Sequence, residues 1–139
     1  MPKKINLAFF LCFVISYGFS QSTSHHELIV TLENIPSSKG SILIALHTEK
    51  TFGTQNPYKF KKTKSEAGTM EFAFSKLAEG MYAIMVLQDV NNNNMMDFNF
   101  FGLPKEKYTH SGKLNRMKAP SFSSTQFMLT ENSEIRLRF

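Results

Sequence analysis

The sequence predicts an all-β domain, an antiparallel β-sandwich of about seven strands with one long irregular loop. Three observations predict it. From Glu27 onward the chain consists of short runs rich in β-branched and aromatic residues, separated by turn signals. Two of these runs, SILIALH (Ser41 to His47) and MYAIMVLQ (Met81 to Gln88), are almost continuously apolar, as strands covered on both faces are. No stretch carries a convincing helical period.

The elements follow in order. ELIVTLENI (Glu27 to Ile35) alternates Leu28, Val30 and Leu32 on one face, and Pro36-Ser37-Ser38-Lys39-Gly40 is a turn. After the central run Ser41 to His47, a looser polar stretch extends from Thr48 to Pro57. YKFKKTK (Tyr58 to Lys64) alternates aromatic residues with lysine, and TMEFAFSKL (Thr69 to Leu77) places Met70, Phe72 and Phe74 on one face. The two are expected to pair as a hairpin across Ser65-Glu66-Ala67-Gly68. Lysines 59, 61, 62 and 64 suit an unpaired edge, where charge deters edge-to-edge association, better than a site for an anionic polymer. Asp89 to Ser124 is the irregular excursion. TQFMLT and SEIRLRF are expected to close the fold as a pair.

Residues 1–20 read as an export signal rather than as part of the domain. Lys3 and Lys4 form a short positive region, Ile5 to Ile15 is apolar, and Gly18-Phe19-Ser20 supplies small residues before Gln21. The run is short for a retained bilayer span, so no membrane span is expected in the mature chain. Gln21 to His26 is a polar leader and 27–139 a single domain. The one cysteine, Cys12, lies in the signal, so the mature chain has no thiol for disulfides, nucleophilic catalysis or thiolate metal binding. Formal charge is +5; without Lys3 and Lys4 it is 14 basic to 11 acidic residues, or +3. That is too mild for a nucleic-acid surface.

Leu77-Ala78-Glu79-Gly80-Met81-Tyr82 sharpens the fold class. In Ig-like sandwiches a tyrosine near the start of a late strand packs at the core edge, and its hydroxyl bonds backbone across the corner. Gly80 is expected to turn the chain before that strand with a positive φ. An ordinary buried tyrosine after a loop glycine is the plainer alternative.

The stretch LAEGMYAIMVLQDVNNNNMMDFNFFGLPKEKY (Leu77 to Tyr108), with the earlier Gly40 to Phe52 and the later Pro120 to Phe122, resembles a family of exported bacterial proteins, domain of unknown function 2141. The resemblance covers essentially the whole mature chain. It implies an Ig-like or prealbumin-like sandwich in an exported protein, and no activity comes with it. The chain departs from the family pattern at Gln88, where His is usual, at Asn94, where Gly is common, and at Thr109-His110-Ser111-Gly112.

QDVNNNNMMD (Gln88 to Asp97) raises the question of a cation. Ca²⁺ takes six to eight oxygens from carboxylates, amides, backbone carbonyls and water. Counting from Asp89 puts Asp89, Asn91, Asn93, the Met95 carbonyl and Asp97 at alternate positions, with Asn94 at the sharp bend. Phe100 stands where an EF-hand has its bidentate glutamate, and no helices flank the loop, so an EF-hand is excluded. Two formal charges fit a weak, structural, extracellular-type Ca²⁺ site. The competing account is an asparagine turn whose side chains bond nearby backbone.

Phe98, Phe100 and Phe101 follow directly. Such residues either stack a sugar ring or grip a peptide, or they plug the open end of the sheet pair, and plugging is the commoner outcome. His25, His26, His47 and His110 lack the paired spacing of a zinc site. A catalytic trio such as Ser121, His110 and Asp97 has no motif behind it.

The reading is an exported, non-enzymatic binding or interaction module, periplasmic or secreted. Its expected partner is an envelope or extracellular protein or glycan, with Ca²⁺ as the one possible cofactor. The rival class is an envelope-associated hydrolase or transport-linked enzyme using the loop residues. It requires His110, Ser121 and a carboxylate to converge.

Overall fold

A computed structural model describes residues 24–115 and 118–139. The expected export signal, with Cys12, and residues 21–23 of the leader lie outside the described residues. Eight strands and one helical turn follow along these residues: β1 (His26–Ile35), β2 (Ser41–His47), β3 (Lys59–Lys64), β4 (Gly68–Leu77), β5 (Gly80–Asp89), β6 (Tyr108–His110), α1 (Phe122–Thr125), β7 (Phe127–Leu129) and β8 (Ser133–Arg138). They form two sheets. One has the order β4-β1-β8; the other has β3-β2-β5-β6, with β7 joining the first half of β5. Every pairing is antiparallel except β1 with β8, which runs parallel from Leu28↔Ser133 to Glu33↔Arg138.

Alternation places the core. Leu28, Val30 and Leu32 of β1, with Phe72 and Phe74 of β4, face Ile42, Ile44 and Leu46 of β2 and Tyr82, Ile84 and Val86 of β5, all buried. Each such side chain taken out of water stabilises the fold by about 1.5–3 kcal/mol. Two β-bulges keep the pattern in phase at the sheet ends. His26↔Leu77 and Leu28↔Phe74 set two residues against three, with Lys76 at φ 57°, which returns Leu77 to the core. Leu32↔Met70 and Ile35↔Gly68 do the reverse on β1, with Asn34 at φ 58°, and bury Ile35.

Two expected pairings are overturned. β3 and β4 are not a hairpin: β3 pairs with β2 and β4 with β1, in different sheets. The link between them is bound to the β1–β2 turn by Ser65 N–H to Gly40 O (3.0 Å), Ser65 Oγ to Ser37 O (2.7 Å) and Ala67 N–H to Ser38 Oγ (2.9 Å). Both connections therefore cross between the sheets side by side. The last two strands do not pair with each other either, because β7 lies on β5 and β8 on β1. Two other expectations are met. β3 is the edge of its sheet, and Tyr82 Oη donates to Ala78 O at 2.9 Å across the corner. Gly80, at φ 159°, is nearly extended rather than tightly turned.

What this frame positions is the excursion from the end of β5 to the start of β6. Gly40 (φ 70°) packs against its first residues so closely that a Cβ there would lie 2.0 Å from Asp89 O. A hydrogen atom is all that fits.

Candidate functional site

The excursion begins on a buried carboxylate. Asp89 is fully buried, and its Oδ1 and Oδ2 accept the backbone N–H groups of Asn93 (3.1 Å) and Asn94 (2.8 Å). Asparagines then alternate in role. Asn91 Oδ1 accepts Asn93 N–H (3.1 Å) and Asn93 Oδ1 accepts Met95 N–H (2.9 Å), whereas Asn92 and Asn94 take left-handed backbone at φ 60° and 64°. The even pair is tied to the sheet: Ser41 Oγ donates to Asn92 Oδ1 and Lys62 Nζ to Asn94 Oδ1, both at 2.6 Å.

Asp97 closes the loop on itself. Its Oδ2 and Oδ1 accept the side-chain amides of Asn91 (2.6 Å) and Asn93 (3.0 Å). Glu106, on the returning limb, is buried and accepts Val90 N–H at Oε1 (2.8 Å) and Asp97 N–H at Oε2 (3.4 Å). All six oxygens of these three carboxylates thus accept hydrogen bonds from donors of the same excursion. Of the nominated Ca²⁺ ligands, Asp89, Asn91, Asn93 and Asp97 are drawn into one cluster. Among the described residues no group of three or more His, Cys, Asp or Glu side chains is placed to hold a metal ion.

Beyond Asp97 the chain makes a short hairpin, with Lys105 N–H to Asp97 O (2.8 Å), a Phe98↔Pro104 bridge and Asn99 N–H to Leu103 O (2.8 Å). Its turn is closed by Gly102 N–H to Asn99 O (2.9 Å), and Asn99 Oδ1 accepts Phe101 N–H (2.9 Å) and Leu103 N–H (3.0 Å). The expectation that the phenylalanines plug the sandwich end is overturned. Phe98 is 57 % exposed, Phe100 97 % and Phe101 82 %. Phe100 and Phe101 stand on the hydrogen-bonded turn, Phe98 keeps one side toward Met85 and Tyr108, and the core between the sheets is filled by strand residues. Phe100 and Phe101 meet edge to face at 5.7 Å. Met96, Phe98 and Leu103 line, together with Met85, Tyr108 and Lys118, an open cavity of about 440 Å³.

The catalytic trio does not assemble. Asp97 is occupied by Asn91 and Asn93, Ser121 Oγ caps α1 by accepting Ser124 N–H (3.3 Å), and His110 Nδ1 lies 2.7 Å from Ser111 O. His110 and Ser121 line a common cavity, but no hydrogen bond joins them among the described residues. The other histidines are dispersed: His25 is exposed, His26 Nε2 lies 3.6 Å from Glu79 and His47 is buried beside Thr51. Burial holds the His47 imidazole below its usual 6.5, against a smaller raising effect of the Thr51 carbonyl.

Sequence reasoning missed two residues that shape the site. Glu106 lies nine residues beyond Asp97, and nothing in the local sequence marks it as the clamp of both limbs. Gln88 marked only a departure from the family pattern. It is buried at the core's end, with Nε2 2.7 Å from Ser37 O and 3.0 Å from Ser65 Oγ.

Fold and site together define a two-sheet β-sandwich that carries one long, internally hydrogen-bonded excursion with an aromatic tip. Residues 30–136 match the family model described as "Uncharacterized protein conserved in bacteria (DUF2141)", and the chain belongs to that family. No curated protein and no solved structure matches it.

Proposed function

We propose that the protein is an exported, non-enzymatic binding module of the cell envelope or its surroundings, and that the hairpin tip is its contact surface. The observation that carries this reading is the pair Phe100 and Phe101, almost fully exposed on a turn locked by Asn99. An ordered turn that holds large apolar side chains in water has an unmet area to bury, and contiguous exposed apolar surface of this kind marks interaction sites. The test is retention on an octyl matrix. The double variant Phe100→Ser/Phe101→Ser should elute earlier than the parent with an unchanged unfolding midpoint; equal retention would remove the tip as the contact surface.

A second reading concerns the loop behind the tip. The gathering of Asp89, Asn91, Asn93 and Asp97, with Asn94 left-handed at the bend, supports weak structural binding of Ca²⁺ there. The Asn91 and Asn93 amides on Asp97 would be exchanged for the ion. A ligand of the folded state raises the unfolding midpoint by mass action. Millimolar Ca²⁺ should therefore raise it relative to excess EDTA, Mg²⁺ should not, and Asp97→Asn should abolish the rise. No shift in the parent would leave a self-sufficient asparagine turn.

A further inference from the structure

The chemistry around the tip says what it contacts. The turn is preformed: four hydrogen bonds among Asn99, Phe101, Gly102 and Leu103 hold it, so docking costs little backbone ordering. Its cap is apolar throughout, with Phe98 and Leu103 more than half exposed beside Phe100 and Phe101. The only polar side chain in the turn, Asn99, spends its oxygen on two backbone amides. A sugar or peptide site fixes its ligand with several well-placed polar groups, and among the side chains of the 99–103 turn only the Asn99 amide NH₂ could serve as one. The tip suits a fluid apolar medium instead.

Charge is sorted in the same sense. Of the three acids of the excursion, Asp89 and Glu106 are buried and Asp97 is half-buried, and the oxygens of all three are engaged by the excursion's own donors. The bases nearby are exposed: Lys105 and Lys107 on the hairpin's returning limb, and Lys118, which lines the cavity shared with Phe98 and Leu103. The hairpin is therefore apolar at its tip, with the exposed Lys105 and Lys107 on the limb behind it. Side chains of these two kinds take the two layers of a bilayer surface, phenylalanine entering the acyl boundary and lysine meeting anionic headgroups.

We propose that the 97–107 hairpin docks the protein on a lipid surface bearing anionic headgroups. The proposal rests on the reading of the tip as the contact surface and names its occupant. The lysines give attraction and lipid preference, and the two phenylalanines give depth. Among the described residues no helix is long and apolar enough to cross a membrane.

The experiment is co-sedimentation with vesicles of phosphatidylcholine alone or mixed with phosphatidylglycerol. The protein is used without residues 1–20, whose apolar run would itself bind lipid; every strand and core residue described lies within 26–139. The parent should bind the mixed vesicles and bind phosphatidylcholine less. Phe100→Ser/Phe101→Ser should weaken that binding about tenfold or more, since each lost aromatic contact forfeits a sizeable transfer free energy. Lys105→Glu/Lys107→Glu should abolish the preference for phosphatidylglycerol, and added salt should reduce it. Absence of binding to the mixed vesicles, or binding unaffected by the phenylalanine substitutions, would overturn the proposal. So would a dimer of the parent that the same substitutions dissociate, because a second copy would then be the occupant. Octyl retention that depends on the tip, without vesicle binding, overturns the lipid surface and leaves the contact surface standing; loss of both removes both.

Discussion

Gln88 and Asp89 are neighbours on β5, both fully buried, and they point to opposite faces of the sheet. Gln88 pins the end of the core to the β1–β2 turn, while Asp89 gathers the amides of Asn93 and Asn94 and starts the excursion. Asp89 stands out in the sequence as the first oxygen of the loop, and its partners lie only four and five residues away. Gln88 was not, because its acceptors sit at Ser37 and Ser65, on other crossings between the sheets. His47 offers the clearest titration at this scale. It is buried against Phe52 (5.7 Å between ring centres) and its pKa is lowered in the folded state. Near 6.5 the unfolded chain then binds more protons than the folded one, so stability rises with pH through that region and falls as pH drops below it. Urea unfolding at pH 5 and pH 8 should show a larger loss toward acid in the parent than in His47→Gln; equal pH dependence would exclude His47 as a source.

At the scale of elements, the strand segments were readable and their partners were not. Alternation in YKFKKTK and TMEFAFSKL identifies two strands, and a four-residue turn signal between them suggests a hairpin. The turn instead crosses between sheets because Ser65 and Ala67 find partners at Gly40, Ser37 and Ser38. The excursion is an element in its own right, and Glu106 is its clamp. Replacing Glu106 with Gln keeps the volume but removes the charge and sets an NH₂ group among backbone N–H donors. The expected cost is about 1.5–3 kcal/mol, the range for a hydrogen bond to a buried charged group. Denaturant unfolding should show a lower midpoint, and amide exchange at Val90 should accelerate. A variant as stable and as protected as the parent would show that the excursion holds itself together through Asp89 alone.

For the whole molecule, the parallel pairing of β1 with β8 brings the last strand onto the first and buries Leu137 in the core. Seven strands were expected and eight are found among the described residues, the short β6 having been hidden in the irregular stretch. The sequence by itself determined the class of fold, the inward faces of β1 and β4, the lysine edge of β3 and the corner at Tyr82. These follow from a two-residue period and from turn chemistry, which act over a few residues. Only the tertiary structure decided which strands pair, where Gln88 and Glu106 find their partners, and that Phe98, Phe100 and Phe101 stand in solvent. An apolar side chain is buried only when other surface lies opposite it, and what lies opposite is set by residues distant in the chain.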